Sequence, residues 1–246
     1  MHLTIDGGEL LPAPLPIRAD DAGAEMLAER YAFPADRPFV RAMMNTTIDG
    51  AIAGADGTSG SLHNPDDSFL FGVLRTLPDV ILVGAETTRV EDYRRPGGRR
   101  SLREPSRRPS GAHRPAVAVM SVSGDVPTAL GADWPTYVLT PSDGLQAARN
   151  RCPLPANQVY PADTAEQMLD VLAGLGLQAV QCEGGPSALA RFAAAGLLDE
   201  LCFSVSHRTV GGPSPRVMDG DAHDQAWYLE TMLLGEHATM TRYRRA

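Results

Sequence analysis

The sequence of 246 residues contains no lysine, so all 22 of its basic residues are arginines. This excludes a mechanism built on a lysine amine, such as a Schiff base. It equally excludes a P-loop, whose lysine must reach the nucleotide phosphates. Cysteine is nearly as scarce. Cys152, Cys182 and Cys202 lie too far apart to form a Cys-x-x-Cys pair, so neither a zinc site nor a disulfide framework is expected. Cys182 and Cys202 sit in apolar runs and are expected as small buried hydrophobes. No His-Glu-x-x-His and no Gly-x-Ser-x-Gly occurs, and the six histidines are scattered. A zinc protease and a nucleophile-elbow hydrolase are therefore disfavoured. No apolar run approaches the roughly 18 residues needed to cross a bilayer. Residues 1–18 lack the basic start and apolar core of a secretory signal, so a cytoplasmic location is expected. The net charge of -8 argues against a general nucleic-acid binder.

What is present is an alternation of apolar strands and helices. A helix is expected over 20–31, ending ahead of Pro34, then a strand over 39–45 and a turn-rich stretch over 49–60. Asn64 and Pro65 mark the start of a helix over 65–77, with Phe69, Val73 and Leu77 at helical spacing. A fully apolar strand covers 80–84 and helical sequence follows from Thr87. Further strands are expected at 116–120, 136–139, 179–182 and 201–206, and helices at 165–175 and 187–195. The run 237–243 reads as an added edge strand. This order predicts an α/β fold with a mostly parallel sheet and flanking helices. Residues 1–37 read as an N-terminal extension and 38–246 as one domain.

Residues 93–114 break the pattern. Eight arginines stand there against one acid, Glu104, giving +7 and leaving -15 for the rest of the chain. Such a segment is a solvated loop or a basic lip for an anionic ligand.

Three segments carry chemistry. In Val80-Ile81-Leu82-Val83-Gly84-Ala85-Glu86-Thr87 a buried strand ends in glycine and a helix begins, which offers free N–H groups to a phosphate. Val180-Gln181-Cys182-Glu183-Gly184-Gly185-Pro186-Ser187 repeats that design around a glycine pair, with Glu183 at the carboxyl end of its strand. Asn45-Thr46-Thr47-Ile48-Asp49-Gly50 leaves a strand through small and hydroxyl residues, followed by Gly57-Thr58-Ser59-Gly60-Ser61.

In this order and spacing the three segments resemble the riboflavin-biosynthesis pyrimidine reductases over about residues 38–243, a family with the dihydrofolate-reductase-like fold. Gly196 to Leu201 and Val210-Gly211-Gly212 fit the family as well. The resemblance implies NADPH as cofactor and a homodimer, with no nucleic-acid or membrane partner. It implies Asn45, Ile52 and Ser61 around the nicotinamide, Gly84, Thr87 and Glu91 at the phosphates, and Ser121 or Ser123 at the 2′-phosphate. Gly184, Gly185, Pro186 and Ser187 would cradle the pyrophosphate, the glycine pair joined by a cis peptide. Ser59, Arg75 and Glu183 would bind a phosphorylated ribosylaminopyrimidine, and Glu183 or Asp67 would supply a proton. The sequence lacks the His-x-Glu and Cys-x-x-Cys of the zinc deaminase that precedes this domain in bifunctional members. It has Thr47 and Ser61 where many members have Ser and Trp, changes that bear on the substrate. A dihydropterin reductase on the same scaffold and a non-catalytic nucleotide-binding regulator are the alternatives.

Overall fold

The chain opens with a hairpin, β1 (His2–Asp6) and β2 (Glu9–Pro16), followed by helix α1 (Asp21–Arg30). Next come β3 (Phe39–Thr47), α2 (Pro65–Leu74), β4 (Val80–Gly84), α3 (Ala85–Val90), β5 (Ala116–Met120) and β6 (Thr136–Thr140). The remainder comprises α4 (Leu145–Arg151), β7 (Val159–Pro161), α5 (Ala165–Gly174), β8 (Ala179–Cys182), α6 (Pro186–Ala194), β9 (Glu200–Ser206), β10 (Trp227–Leu234) and β11 (Ala238–Arg245). The computed structural model describes residues 1–131 and 133–246. Among the described residues the eleven strands form one sheet in the order β2-β1-β10-β11-β9-β3-β8-β4-β5-β6-β7. Every neighbouring pair from β9 to β7 is parallel, and the pairs from β9 out to β2 are antiparallel.

The parallel half follows from its sequence. The first four residues of β4, Val-Ile-Leu-Val, are all buried, as expected of a strand covered on both faces. Val80 and Leu82 pack with Leu172, Leu189 and Phe192 of α5 and α6. Ile81 and Val83 point to the opposite face and pack with Val117, Val119 and Ala148, in keeping with strand alternation. A third cluster joins α1 and α2 through Leu27, Tyr31, Leu70 and Leu74. All three cysteines are free and buried.

Several expectations are corrected. The C-terminal strand is not an edge strand, because β11 lies between β10 and β9. Residues 1–17 form a hairpin hydrogen-bonded to β10 within the same sheet. Three prolines, Pro12, Pro14 and Pro16, mask β2 as a strand in the sequence. Helix α2 ends at Leu74 with Arg75 as its C-cap, and α3 starts at Ala85 and stops at Val90. Among the described residues no helix is long and apolar enough to cross a membrane.

Candidate active site

The site is built where parallel strands β4 and β8 end. The ladder between them runs past both strands: Glu183 N–H donates to Leu82 O at 3.0 Å and Gly84 N–H to Gly184 O at 2.8 Å. The starts of α3 and α6 are thereby held side by side. Gly184 has φ +85°, a conformation other residues avoid. A Cβ there would stand 3.2 Å from Met44 Sδ, and one on Gly185 would stand 2.6 Å from Thr87 Oγ1. The hydroxyl of Thr87 thus lies against the Gly185 backbone, and the Gly184–Gly185 peptide is cis. Gly185 is the N-cap of α6 and brings no side chain to it, while Pro186 and Ser187 open its first turn. The N–H groups of that turn therefore have no side-chain acceptor of the cap.

Glu183 emerges beside this turn, and five hydrogen bonds from three side chains converge on its carboxylate, Arg75 Nε being shared between its two oxygens. Arg75 Nε donates to Oε1 at 2.9 Å and Nη2 to Oε2 at 2.6 Å. Tyr93 Oη donates to Oε2 at 2.8 Å and Gln181 Nε2 to Oε1 at 2.9 Å. The Arg75 guanidinium also lies 4.0 Å from the centre of the Phe71 ring. Burial, reinforced by the Glu183 charge, holds the Tyr93 phenol well above its ordinary pKa. Burial opposes the Arg75 charge, but Glu183 outweighs it and holds the guanidinium charged.

A second cluster lies at the end of β3. Asn64 caps α2, its Oδ1 accepting from Asp67 N at 3.0 Å, and its Nδ2 donates to Ser206 Oγ at 3.0 Å. Ser206 Oγ donates to Asn45 Oδ1 at 3.0 Å, and Asn45 Nδ2 to Asp67 Oδ2 at 3.3 Å. Asp67 is only 4% exposed, and its Oδ1 has no hydrogen-bond partner. Burial raises its pKa, against weaker pulls from the Ser204 hydroxyl, His63 and the Asn45 amide.

The loops at the rim are tied to these clusters by their own hydrogen bonds. Glu91 accepts from Ser59 N–H at 2.8 Å, so its carboxylate positions the Ser59 turn. Ser61 Oγ donates to Thr58 O at 3.0 Å, and Ile52 N–H donates to Ser214 Oγ at 3.1 Å. Asp49 bonds the Thr47 hydroxyl and the N–H groups of Val210 and Gly211, joining the two glycine-rich loops. Ser121 is buried, its hydroxyl donating to Asp125 O at 3.2 Å. Ser123 Oγ accepts from Asp125 N–H at 3.4 Å. Arg89 lies 3.9 Å from Asp125.

The structure therefore brings Gly84, Thr87, Gly184 and Gly185 together, pairs Arg75 with Glu183, pairs Asn45 with Asp67 and ties Ser59 to Glu91. It places Ser121 and Ser123 in a separate turn after β5. Sequence reasoning missed Tyr93, Gln181, Asn64 as a side-chain bridge, and Ser206. Gln181 was within reach, since residues two apart on a strand share a face. Tyr93 lies 90 positions from Glu183, and nothing local marks it.

These groups fit a dinucleotide on one observation: a close glycine turn against Thr87 that opens a helix whose first N–H groups have no side-chain cap. They stand at the carboxyl ends of parallel strands, beside helix starts, where open α/β sheets bind their ligands. The family model of the RibD C-terminal domain matches residues 38–240. The chain belongs to that family, the pyrimidine reductases of riboflavin biosynthesis. Among solved structures, a pyrimidine reductase-like protein from Corynebacterium diphtheriae aligns with TM-score 0.75 and 22% identity, over 91% of this chain and 98% of its own. The Saccharomyces riboflavin biosynthesis reductase Rib7 aligns with TM-score 0.60 and 13% identity, over 92% and 100%. A Thermotoga maritima deaminase/reductase aligns with TM-score 0.65 and 18% identity, over 85% of this chain and 57% of its own. No curated protein matches the sequence significantly.

Proposed function

We propose that the chain is an NADPH-dependent reductase of 5-amino-6-(5-phosphoribosylamino)uracil, acting in the cytoplasm as a homodimer. The observation that carries this reading is the buried, partly unpartnered Asp67 carboxyl beside Asn45, at one crevice with the glycine turn and the Arg75–Glu183 pair. When bound, NADPH would supply the hydride for C1 of the ribosylamino group, opened to an imine. Gly84, Thr87, Gly184, Gly185, Pro186 and Ser187 would hold its phosphates, and Asn45, Ile52 and Ser61 would border the nicotinamide. Ser123, more accessible than Ser121, is the better group for the 2′-phosphate.

The two acids divide the remaining work. Glu183 is surrounded by donors, including a guanidinium, and serves as an acceptor that orders Arg75, Tyr93 and the substrate edge. Asp67 is the better proton donor to the imine nitrogen, because burial favours its neutral form. The Arg75 donors not engaged by Glu183 would face the substrate phosphate, with Ser59 on the loop that Glu91 anchors.

The test follows NADPH absorbance with the ribosylaminouracil phosphate and with dihydrofolate in parallel. Oxidation with the first alone is expected. Turnover of dihydrofolate alone would move the protein to dihydropterin chemistry, and NADPH binding without turnover of either would favour a regulator.

A further inference from the structure

The arginine segment builds a second concave site. Arg95, Arg103, Arg108 and Arg114, with His113 and Trp134, line a cavity of about 480 Å³, within the size range of small-molecule pockets. The cavity lies at the other end of the sheet from the glycine turn. Pro115 and Trp134 in its wall lead into the amino ends of β5 and β6, whereas Gly84 and Gly184 stand at carboxyl ends. The two sites are separated by about the length of a five-residue strand, roughly 16 Å.

Its charge is poorly compensated. Arg95 pairs with Asp133, whose charge also reaches Arg114, but among the described residues Arg103, Arg108 and Arg114 have no carboxylate within ion-pair distance. Arg103 donates instead to Gly97 O at 3.0 Å, and Arg114 lies 4.9 Å from the centre of the Trp134 ring. Arg108 is 3% exposed. One of its nitrogens donates to Ala112 O at 3.0 Å, while its buried Nε has no partner. The carboxylate of nearby Asp79 is engaged by the N–H groups of Ser110, Gln178 and Ala179. Burial accordingly pulls the Arg108 pKa down to about 10 despite the pull of Asp79. A buried charge lacking an ion-pair partner is costly unless something pairs with it.

We propose that this pocket binds a compact, multiply charged phosphate, either pyrophosphate or the polyphosphate end of a nucleotide. Three guanidiniums without a close ion-pair partner around one cavity exceed what a single tetrahedral anion needs, and guanidinium forks match phosphate oxygens in pairs. A concave site in a chain of net charge -8 suits a small anion better than a nucleic-acid strand, which would need an extended basic face.

The experiment titrates the full chain with pyrophosphate, ATP and orthophosphate at low ionic strength and saturating NADPH, which fills the cofactor's phosphate sites; a double variant at Arg103 and Arg114 separates this pocket from the substrate-phosphate site at Arg75. Trp134 fluorescence and calorimetry report binding. Pyrophosphate is expected to bind at least about tenfold more tightly than orthophosphate. The double variant Arg103→Gln/Arg114→Gln should weaken pyrophosphate by about tenfold or more with an unchanged circular dichroism spectrum. These two residues are exposed, so the test does not depend on replacing buried Arg108. ATP binding tighter than pyrophosphate identifies a nucleotide as the source, and equal affinities identify the phosphates alone. Absence of saturable binding, or binding indifferent to the double variant, overturns the proposal, as does tight binding of an RNA oligonucleotide without any of pyrophosphate.

Discussion

Asp67 and Glu183 are the two carboxyls of the proposed site, and they stand in opposite surroundings. Replacing Asp67 with Asn should cut the reductase rate by about 10²–10⁴-fold while leaving NADPH affinity within about twofold. Single-turnover kinetics and fluorescence titration separate the two effects, and a rate near wild type would remove Asp67 from the mechanism. The same substitution has a pH signature. The folded-state pKa of Asp67 lies above the 3.8 of the free side chain, so the native fold favours the protonated form. Wild-type stability is therefore highest, as far as this group goes, below pH 3.8 and declines as pH rises through the folded value. The Asn variant escapes that decline and should melt higher than wild type near pH 8, with the gap closing toward about pH 4. Calorimetry at several pH values would show it; parallel curves for both proteins would contradict the assigned environment. For Glu183→Gln the expected loss is about 2 kcal/mol in urea unfolding, at the low end for a broken ion pair because Arg75 keeps 22% of its side chain exposed.

At the scale of elements, the turn from β8 into α6 is the most demanding piece of backbone. Gly184→Ala would place a Cβ at positive φ against Met44, costing about 1–2 kcal/mol and weakening NADPH binding; denaturant titration and cofactor fluorescence measure the two losses. Val180-Gln181-Cys182-Glu183-Gly184-Gly185 was legible because an apolar run followed by two glycines admits few other structures. The β1–β2 hairpin was not, because the prolines of β2 oppose a strand assignment that only its pairing with β1, at the outer edge of the sheet, can override. Nor was the arginine segment's share of the core legible. Leu102 and Tyr93 are buried there, Arg99 stacks 4.5 Å from the centre of the Phe69 ring and Arg107 pairs with Glu25 of α1. Composition suggests a solvated loop, whereas these contacts depend on residues far away in the chain.

At the scale of the whole molecule, an internal ion network sits at the amino end of β3, away from the crevice. Glu200 and Arg41 are fully buried; Arg41 Nε donates to Glu200 at 2.5 Å and Arg242 Nη2 lies 2.8 Å from it. Burial alone would raise the Glu200 pKa, but Arg41, Arg242 and Arg244 outweigh it and bring it down to about 2. Its folded value thus lies below the ordinary 4.5. The stability it contributes is present above pH 4.5 and is lost as pH falls toward 2. Acid unfolding followed by circular dichroism should show a transition in that window. Glu200→Gln should lose about 3–5 kcal/mol by leaving buried arginines uncompensated, with turnover unchanged wherever the variant is folded. Asn45 lies four residues along β3 from Arg41, about 13 Å away. A parallel fall in rate would mean the network reaches the crevice.

The prolines of β2 bear on how copies of the chain can associate. Pro12, Pro14 and Pro16 alternate along the outermost strand on one side of the sheet, and Pro161 ends the outermost strand on the other. Proline has no N–H to offer, and alternating prolines strip one row of a strand of its donors. A strand from a neighbouring molecule docking along β2 would find carbonyls without the amides that must answer them. Fibre-like growth by edge-to-edge addition is thereby obstructed at β2, and a homodimer that buries this side would have to join through side chains.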